Sequence, residues 1–350
     1  MHFMQAVQLL AHGTPGQFRF DHMPDPIPGP DEVVLEVHAC GVNHLDLWAE
    51  AGGLPAPIRL PRIPGCEVAG TVLSLGPNVT AWSAGDRVAV QSNLFCGRCE
   101  FCRRGEESIC VQGQLLGVDR DGGFAERVLV PAASLVRLPD QVEFVASAAL
   151  TLAGSTAMHM LTDRATIQAG DLVLVIGGAS GVGSAAIQIA RHLGARVITT
   201  GTTPAKRELG LRLGAEQAID PGQVHWAVEV RRWAGRRGVD LVIEHVGGPV
   251  LRQCFEALAR GGTVVTCGAT AGREVTLNLW PMFVKQQRLV GSYGRTRKDM
   301  EATLRGVAEG WLQPVIDRLH PLVEVPIALR DLRGRGVLGK RIICPRPPPP

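Results

Sequence analysis

Four cysteines crowd one short stretch of the chain: Cys96, Cys99, Cys102 and Cys110, in the spacing C-x2-C-x2-C-x7-C. Four thiolates from a single loop make a closed tetrahedral site, the form in which zinc serves structure rather than chemistry. Gly97 and Gly105 allow the loop to fold around one such ion per chain. A four-cysteine iron–sulfur cluster is the rival occupant, and it would colour the protein. With no open coordination position, a metal in this lobe, residues 92–113, is not expected to touch substrate.

A second constellation is Gly177-Gly178-Ala179-Ser180-Gly181-Val182-Gly183, which follows the apolar run Leu172–Ile176 and precedes a helical segment, Ser184 to Leu193. Glycines permit a tight turn, and the helix N-terminus offers free N–H groups and a positive dipole end to a pyrophosphate. The strand before and the helix after raise this above a lone glycine-rich turn. Gly178, Ser180, Gly181, Val182 and Gly183 are therefore assigned to a dinucleotide. Ser180 stands where the strict fingerprint has its second glycine, and a small residue still lets the backbone approach phosphate.

Coenzyme choice should be set after the next strand, where an NAD site wants a carboxylate for the ribose hydroxyls. No Asp or Glu occurs between Asp171 and Glu208. The stretch reads Thr199-Thr200-Gly201-Thr202-Thr203-Pro204-Ala205-Lys206-Arg207. Hydroxyls followed by Lys and Arg suit a 2′-phosphate, so NADPH is expected over NADH, with Thr200, Gly201, Thr202 and Lys206 at the site.

These residues need a scaffold, and 350 residues are more than one ordinary core holds. Hydrophobic residues at 45% and charged residues at 20% give the balance of a globular enzyme. Short β-type runs such as Glu32–Val37 and Arg87–Val90, punctuated by Pro24 to Pro30 and Gly85-Asp86, indicate a β-rich first domain. From Asp171 continuous apolar runs alternate with helical segments, the pattern of a doubly wound parallel sheet. Pro345 to Pro350 is expected to be a disordered tail. A net charge of +3 and the lack of a basic run argue against a nucleic-acid partner. No apolar stretch reaches the ~18 residues of a membrane span, and no signal pattern opens the chain, so no membrane partner and a cytoplasmic location are expected. There thiols stay reduced, and the nine cysteines need an explanation other than disulfides.

Taken together, the residues resemble the zinc-containing medium-chain dehydrogenase/reductase superfamily, which includes alcohol dehydrogenases and quinone oxidoreductases. The resemblance rests on Gly41-Val42-Asn43-His44-Leu45-Asp46, Ile63-Pro64-Gly65-Cys66-Glu67-Val68-Ala69-Gly70, Ala84-Gly85-Asp86-Arg87-Val88, Gly122-Gly123-Phe124-Ala125-Glu126, the cysteine lobe and the nucleotide turn. It implies an α/β chain: a GroES-like catalytic domain over 1–150 and 296–350, and a Rossmann domain over 151–295. It also implies a homodimer or homotetramer acting on a small molecule.

Departures from the family's pattern bear on chemistry. Zinc alcohol dehydrogenases place a cysteine ligand where this chain has Asn43, a histidine where it has Cys66, and a third ligand near Leu152. Their proton-relaying hydroxyl corresponds to Leu45. A catalytic zinc needs about three protein ligands, so its loss is expected, and Cys66, Glu67, His44 and Asp46 would have to rebuild any such site. Without a Lewis acid, hydride chemistry is easier on an enone, enoyl thioester or quinone, where hydrogen-bond donors can meet the developing charge. Asn43 is expected to orient the nicotinamide or the acceptor carbonyl, with protonation from solvent, His44 or Tyr293. The resemblance places Thr156 against the nicotinamide. It lines the cofactor with His245, Val246, Cys267, Gly268, Ala269, Ser292 and Tyr293, with Lys340 approaching from the C-terminal segment. Two alternatives are a zinc alcohol dehydrogenase with an unusual ligand set and a non-catalytic dinucleotide-binding protein.

Overall fold

The computed structural model describes residues 2–223 and 225–346; the final residues of the proline-rich segment, 347–350, lie outside them. The chain divides into two compact units. One comprises Met1–Leu152, Arg295–Gly310 and Pro314–Pro350, the other Ala153–Gly294 and Trp311–Gln313. The sequence reading sets the joints at 150/151 and 295/296. The return of Trp311–Gln313 to the second unit has a local cause. Trp311 stacks on His192 with ring centroids 3.8 Å apart, and the Gln313 N–H donates to Gln188 Oε1 at 2.9 Å.

The first unit is built on a seven-stranded sheet. Its strands run in the order Ile316–Pro321, Lys340–Cys344, Glu32–Gly41, Glu67–Leu75, Arg87–Val90 and Leu135–Arg137, with Arg127–Pro131 pairing beside Glu32–Gly41. In Arg127–Pro131 buried and half-buried residues alternate, the period-two signature of a sheet with one face inward. Val33, Leu35, Val37, Phe124, Leu135 and Ile343 form its core, each side chain contributing about 1.5–3 kcal/mol on burial. Three neighbouring strands matter for the site. Ile342 lies opposite Gly41, and Gly41 opposite Glu67, so the ends of three remote segments meet. A Cβ on Gly41 would stand 2.1 Å from the Ala148 carbonyl oxygen, which is why no side chain fits there. Helix His44–Ala51 follows directly; its third residue, Asp46, reaches back to the Asn43 N–H at 2.8 Å, as in a capping box.

The second unit holds six parallel strands in the order Gln217–Ile219, Arg196–Thr200, Leu172–Val175, Val239–Glu244, Leu258–Thr266 and Arg288–Gly291. This is the 3-2-1-4-5-6 order of a dinucleotide fold, whose ligands bind past the carboxyl ends of the strands. All of Leu172–Val175 is buried, as a strand covered on both faces requires. The following helix is Gly181–His192, three residues earlier than Ser184, because Ser180 caps it: its Oγ accepts from the Gly183 N–H at 2.9 Å. Among the described residues no single helix is long and apolar enough to cross a membrane.

Candidate active site

The four cysteine sulfurs converge. Cys99 and Cys102 Sγ lie 3.4 Å apart, Cys99 and Cys110 3.9 Å, and Cys96 and Cys102 4.0 Å. Zn–S bonds of about 2.3 Å in a tetrahedron separate sulfurs by roughly 3.8 Å, so the donor set fits that ion. Backbone N–H groups of Cys99 and Cys102 point at the Sγ atoms of Cys96 and Cys99 at 3.4 and 3.5 Å. The N–H groups of Cys102 and Val111 hold the Cys99 thiol down at about 6, while burial and the Cys99 and Cys110 sulfurs push the Cys102 thiol up to about 12. Among the described residues this is the only place where three or more potential metal ligands come together so closely.

At the nucleotide turn the structure leaves room for backbone only. A Cβ on Gly178 would fall 2.1 Å from Thr199 Oγ1, and one on Gly183 2.2 Å from the Gly177 carbonyl oxygen. Gly181 and Val182 open the helix, so their N–H groups have no intrahelical acceptor and suit an anion. The Ser180 side chain is occupied, accepting from Gly183 and lying 3.2 Å from His245 Nε2, and its N–H donates to the Gly177 carbonyl at 2.9 Å, so Ser180 is committed to the turn itself. Thr200 is likewise turned inward, its hydroxyl accepting from the Gly177 N–H at 2.9 Å, so it braces the turn and leaves the ribose region to its neighbours. Thr202 is exposed, Lys206 half-buried and Gly201 buried.

His245, Val246, Cys267, Gly268, Ala269 and Ser292 gather at the carboxyl ends of three strands. The Cys267 N–H donates to the Glu244 carbonyl at 3.1 Å, Ala271 N–H to Val246 at 2.7 Å, and Ser292 N–H to Thr266 at 2.8 Å. Burial lowers the pKa of His245 below its usual value, partly opposed by Glu244. Burial pushes the Cys267 thiol up to about 12, so it stays protonated. Ser292 Oγ is buried without a hydrogen-bond partner among the described residues, as a group awaiting a ligand would be. The sequence reading missed Glu244. This fully buried carboxylate accepts from the N–H groups of Val246 and Gly247 at 2.5 and 2.6 Å and from Thr266 Oγ1 at 2.7 Å. An acid ending the apolar run Val239–Ile243 was the available signal. Thr156 is buried in helix Ala153–Thr162, whereas Tyr293 is 59% exposed.

The first unit assembles a different cluster around Glu67, which is 1% exposed. Glu67 Oε2 accepts from Lys340 Nζ at 2.7 Å and Asn43 Nδ2 at 3.0 Å, and Oε1 accepts from the Leu152 N–H at 2.5 Å. Lys340 Nζ also donates to the Val42 carbonyl at 2.8 Å and to Asn43 Oδ1 at 2.6 Å. An ammonium has three protons, and all three are used here. Lys340, which the resemblance expects to approach the dinucleotide, is the buried cation of this cluster. Asn43 Oδ1 accepts from Lys340 and its Nδ2 donates to Gly41 and Glu67, which uses both amide protons and leaves one lone pair on Oδ1. Cys66 lies beside it, with Asn43 Nδ2 3.9 Å from its Sγ, and burial holds it as a thiol. Asp46 is spent on the N–H groups of Asn43 and Gly65, at 2.8 and 3.2 Å. His44 opens the helix with its side chain exposed.

Comparison with known proteins agrees with this architecture. Residues 29–140 match the alcohol dehydrogenase GroES-like domain, and residues 181–309 the zinc-binding dehydrogenase family. The chain is 29% identical to a quinone oxidoreductase of Homo sapiens over 348 residues, covering 97% of each. Among solved structures, an NAD-dependent alcohol dehydrogenase shares 37% identity with a TM-score of 0.92, covering 97% of this chain and 99% of its own. The 2-octenoyl-CoA carboxylase reductase CinF, in complex with NADP and 2-octenoyl-CoA, shares 26% identity with a TM-score of 0.91, covering 99% and 89%. The chain belongs to the zinc-type medium-chain dehydrogenase/reductase superfamily. It is a dinucleotide-dependent oxidoreductase with a four-cysteine structural zinc site.

Proposed function

We propose that this enzyme uses NADPH to reduce a conjugated acceptor, a quinone or an α,β-unsaturated carbonyl such as an enoyl thioester, without a metal at the reacting centre. One observation carries the reading: the Lys340 ammonium, bonded to Glu67, Asn43 and Val42, is the resident cation of the cluster. A zinc at the place the resemblance gives it would meet an amide at Asn43, a buried thiol at Cys66 and the apolar Leu152, a donor set unlike the thiolates and imidazoles zinc prefers. The quinone oxidoreductase and CinF relatives supply precedents for such acceptors.

The bound coenzyme supplies a hydride. The residues of the second unit have the tasks of holding its pyrophosphate at Gly181 and Val182 and fixing the 245–247 loop through Glu244. Protonation is assigned to solvent, to His44, which is exposed at the start of its helix, or to Tyr293. The missing carboxylate after Thr200 favours a 2′-phosphate. A panel of NADPH and NADH oxidation assays against quinones, enones, enoyl thioesters and aldehydes tests the proposal, with metal content measured on the same sample. Activity confined to aldehydes, with about two zinc ions per chain, would return the enzyme to alcohol chemistry.

Location in the cytosol and assembly as a homodimer complete the proposal. Strand Arg288–Gly291 is an edge of its sheet, and Leu279, Trp280 and Phe283 beside it in sequence are exposed. Unpaired edges and apolar patches favour a second copy. Light scattering of the wild type and of Trp280→Asp reads the oligomeric state directly.

A further inference from the structure

We infer that Asp220 is a coenzyme-specificity residue that acts by positioning Arg207 for the 2′-phosphate. This rests on the NADPH reading above. The strands Leu172–Val175, Arg196–Thr200 and Gln217–Ile219 lie side by side and parallel. Gly201 and Asp220 are therefore the first residues past two adjacent carboxyl ends, where the adenosine ribose of a dinucleotide is recognised. Arg207 comes from the helix Pro204–Arg212, which Thr203 caps by accepting from the Lys206 N–H at 3.3 Å.

The Arg207 head bridges these two ends. Its Nη1 donates to the Gly201 carbonyl at 2.8 Å and to Asp220 Oδ2 at 2.9 Å, which uses both protons of that nitrogen. Among the described residues Nε and Nη2 have no acceptor, and these two donors form the edge that grips a phosphate with two parallel bonds. The other Asp220 oxygen accepts from the Gly222 N–H at 2.9 Å, so the carboxylate is committed to its own loop and to Arg207. A carboxylate at a strand end ordinarily selects NAD by binding ribose hydroxyls and repelling phosphate. Here its charge is matched by a guanidinium at ion-pair distance, and the acid acts in the opposite sense. The pair borders an open cavity of about 270 Å³, so a solute can reach it. Sequence alone offered Lys206 and Arg207 for the phosphate, but the pairing of Arg207 with Asp220 is seen only in the fold.

The test measures KM for NADPH and NADH, and inhibition by 2′,5′-ADP against 5′-AMP, in the full-length wild type, Arg207→Gln, Arg207→Lys and Asp220→Asn. Loss of a charge-assisted bond in Arg207→Gln should raise KM for NADPH and weaken 2′,5′-ADP roughly ten- to hundredfold, leaving NADH and 5′-AMP within about twofold. Asp220→Asn should move the same two quantities in the same direction by several-fold. Arg207→Lys keeps the charge and an ion pair but loses the two-pronged edge, so it should not restore discrimination; it also serves if Asp220→Asn fails to fold. A wild type with no preference between the coenzymes overturns the NADPH reading itself. A wild-type preference that survives or improves in Asp220→Asn, or is fully retained in Arg207→Lys, overturns only the role given to this pair.

Discussion

Lys340 and Glu67 stand 273 residues apart in the chain, yet their side chains form a buried ion pair at 2.7 Å. Antiparallel pairing of Lys340–Cys344 and of Glu67–Leu75 with the same strand, Glu32–Gly41, brings them together. Removing one partner of such a pair leaves the other as an uncompensated buried charge, which costs about 3–5 kcal/mol. Lys340→Met should therefore destabilise the protein by that order in urea unfolding, and Glu67→Gln in the same chain should recover part of it. A double mutant no more stable than Lys340→Met would show that the pair is not the source of the loss.

The zinc lobe gives a metal prediction. Elemental analysis should find about one zinc per chain in the wild type, falling towards none in Cys99→Ser, since three thiolates no longer close the tetrahedron. The loop 96–110 should then become the first site of proteolytic cleavage.

Gly183→Ala should strike the dinucleotide more than the fold. Its methyl would stand 2.2 Å from the Gly177 carbonyl, forcing the turn open. Loss of at least about tenfold in coenzyme affinity, or 1.4 kcal/mol, is expected by fluorescence titration. Unchanged affinity would mean the pyrophosphate is not held here.

His245 sets an acid limit. Burial lowers its pKa from 6.5 in the fold, so the unfolded chain takes up a proton first as pH falls. The stability from neutral His245 is then present above about pH 6.5 and declines as pH drops through its folded value. His245→Gln should flatten this part of the thermal-stability profile below about pH 6.5. An identical slope in wild type and variant would assign the acid sensitivity elsewhere.

Tyr293→Phe should leave turnover unchanged within about twofold if His44 or solvent, and not the phenol, supplies the proton. A large fall in kcat with KM unchanged would restore Tyr293 as the proton donor.

The sequence by itself determined the local chemistry. Spacing within a few residues placed Cys96, Cys99, Cys102 and Cys110 in one lobe, and the glycines around Ser180 announced a strand-turn-helix, because such motifs are closed by short-range geometry. The periodicity of apolar runs likewise separated a β-rich unit from a parallel sheet. What only tertiary structure decided was how polar side chains are consumed. Asn43 looked free to orient a ligand and Lys340 free to approach one, but long-range strand pairing turns them towards each other and towards Glu67. Thr200 and Glu244 are spent on backbone N–H groups of neighbouring loops in the same way. A sequence names the donors and acceptors; which of them remain for a ligand depends on partners up to hundreds of residues away, and only the fold supplies those.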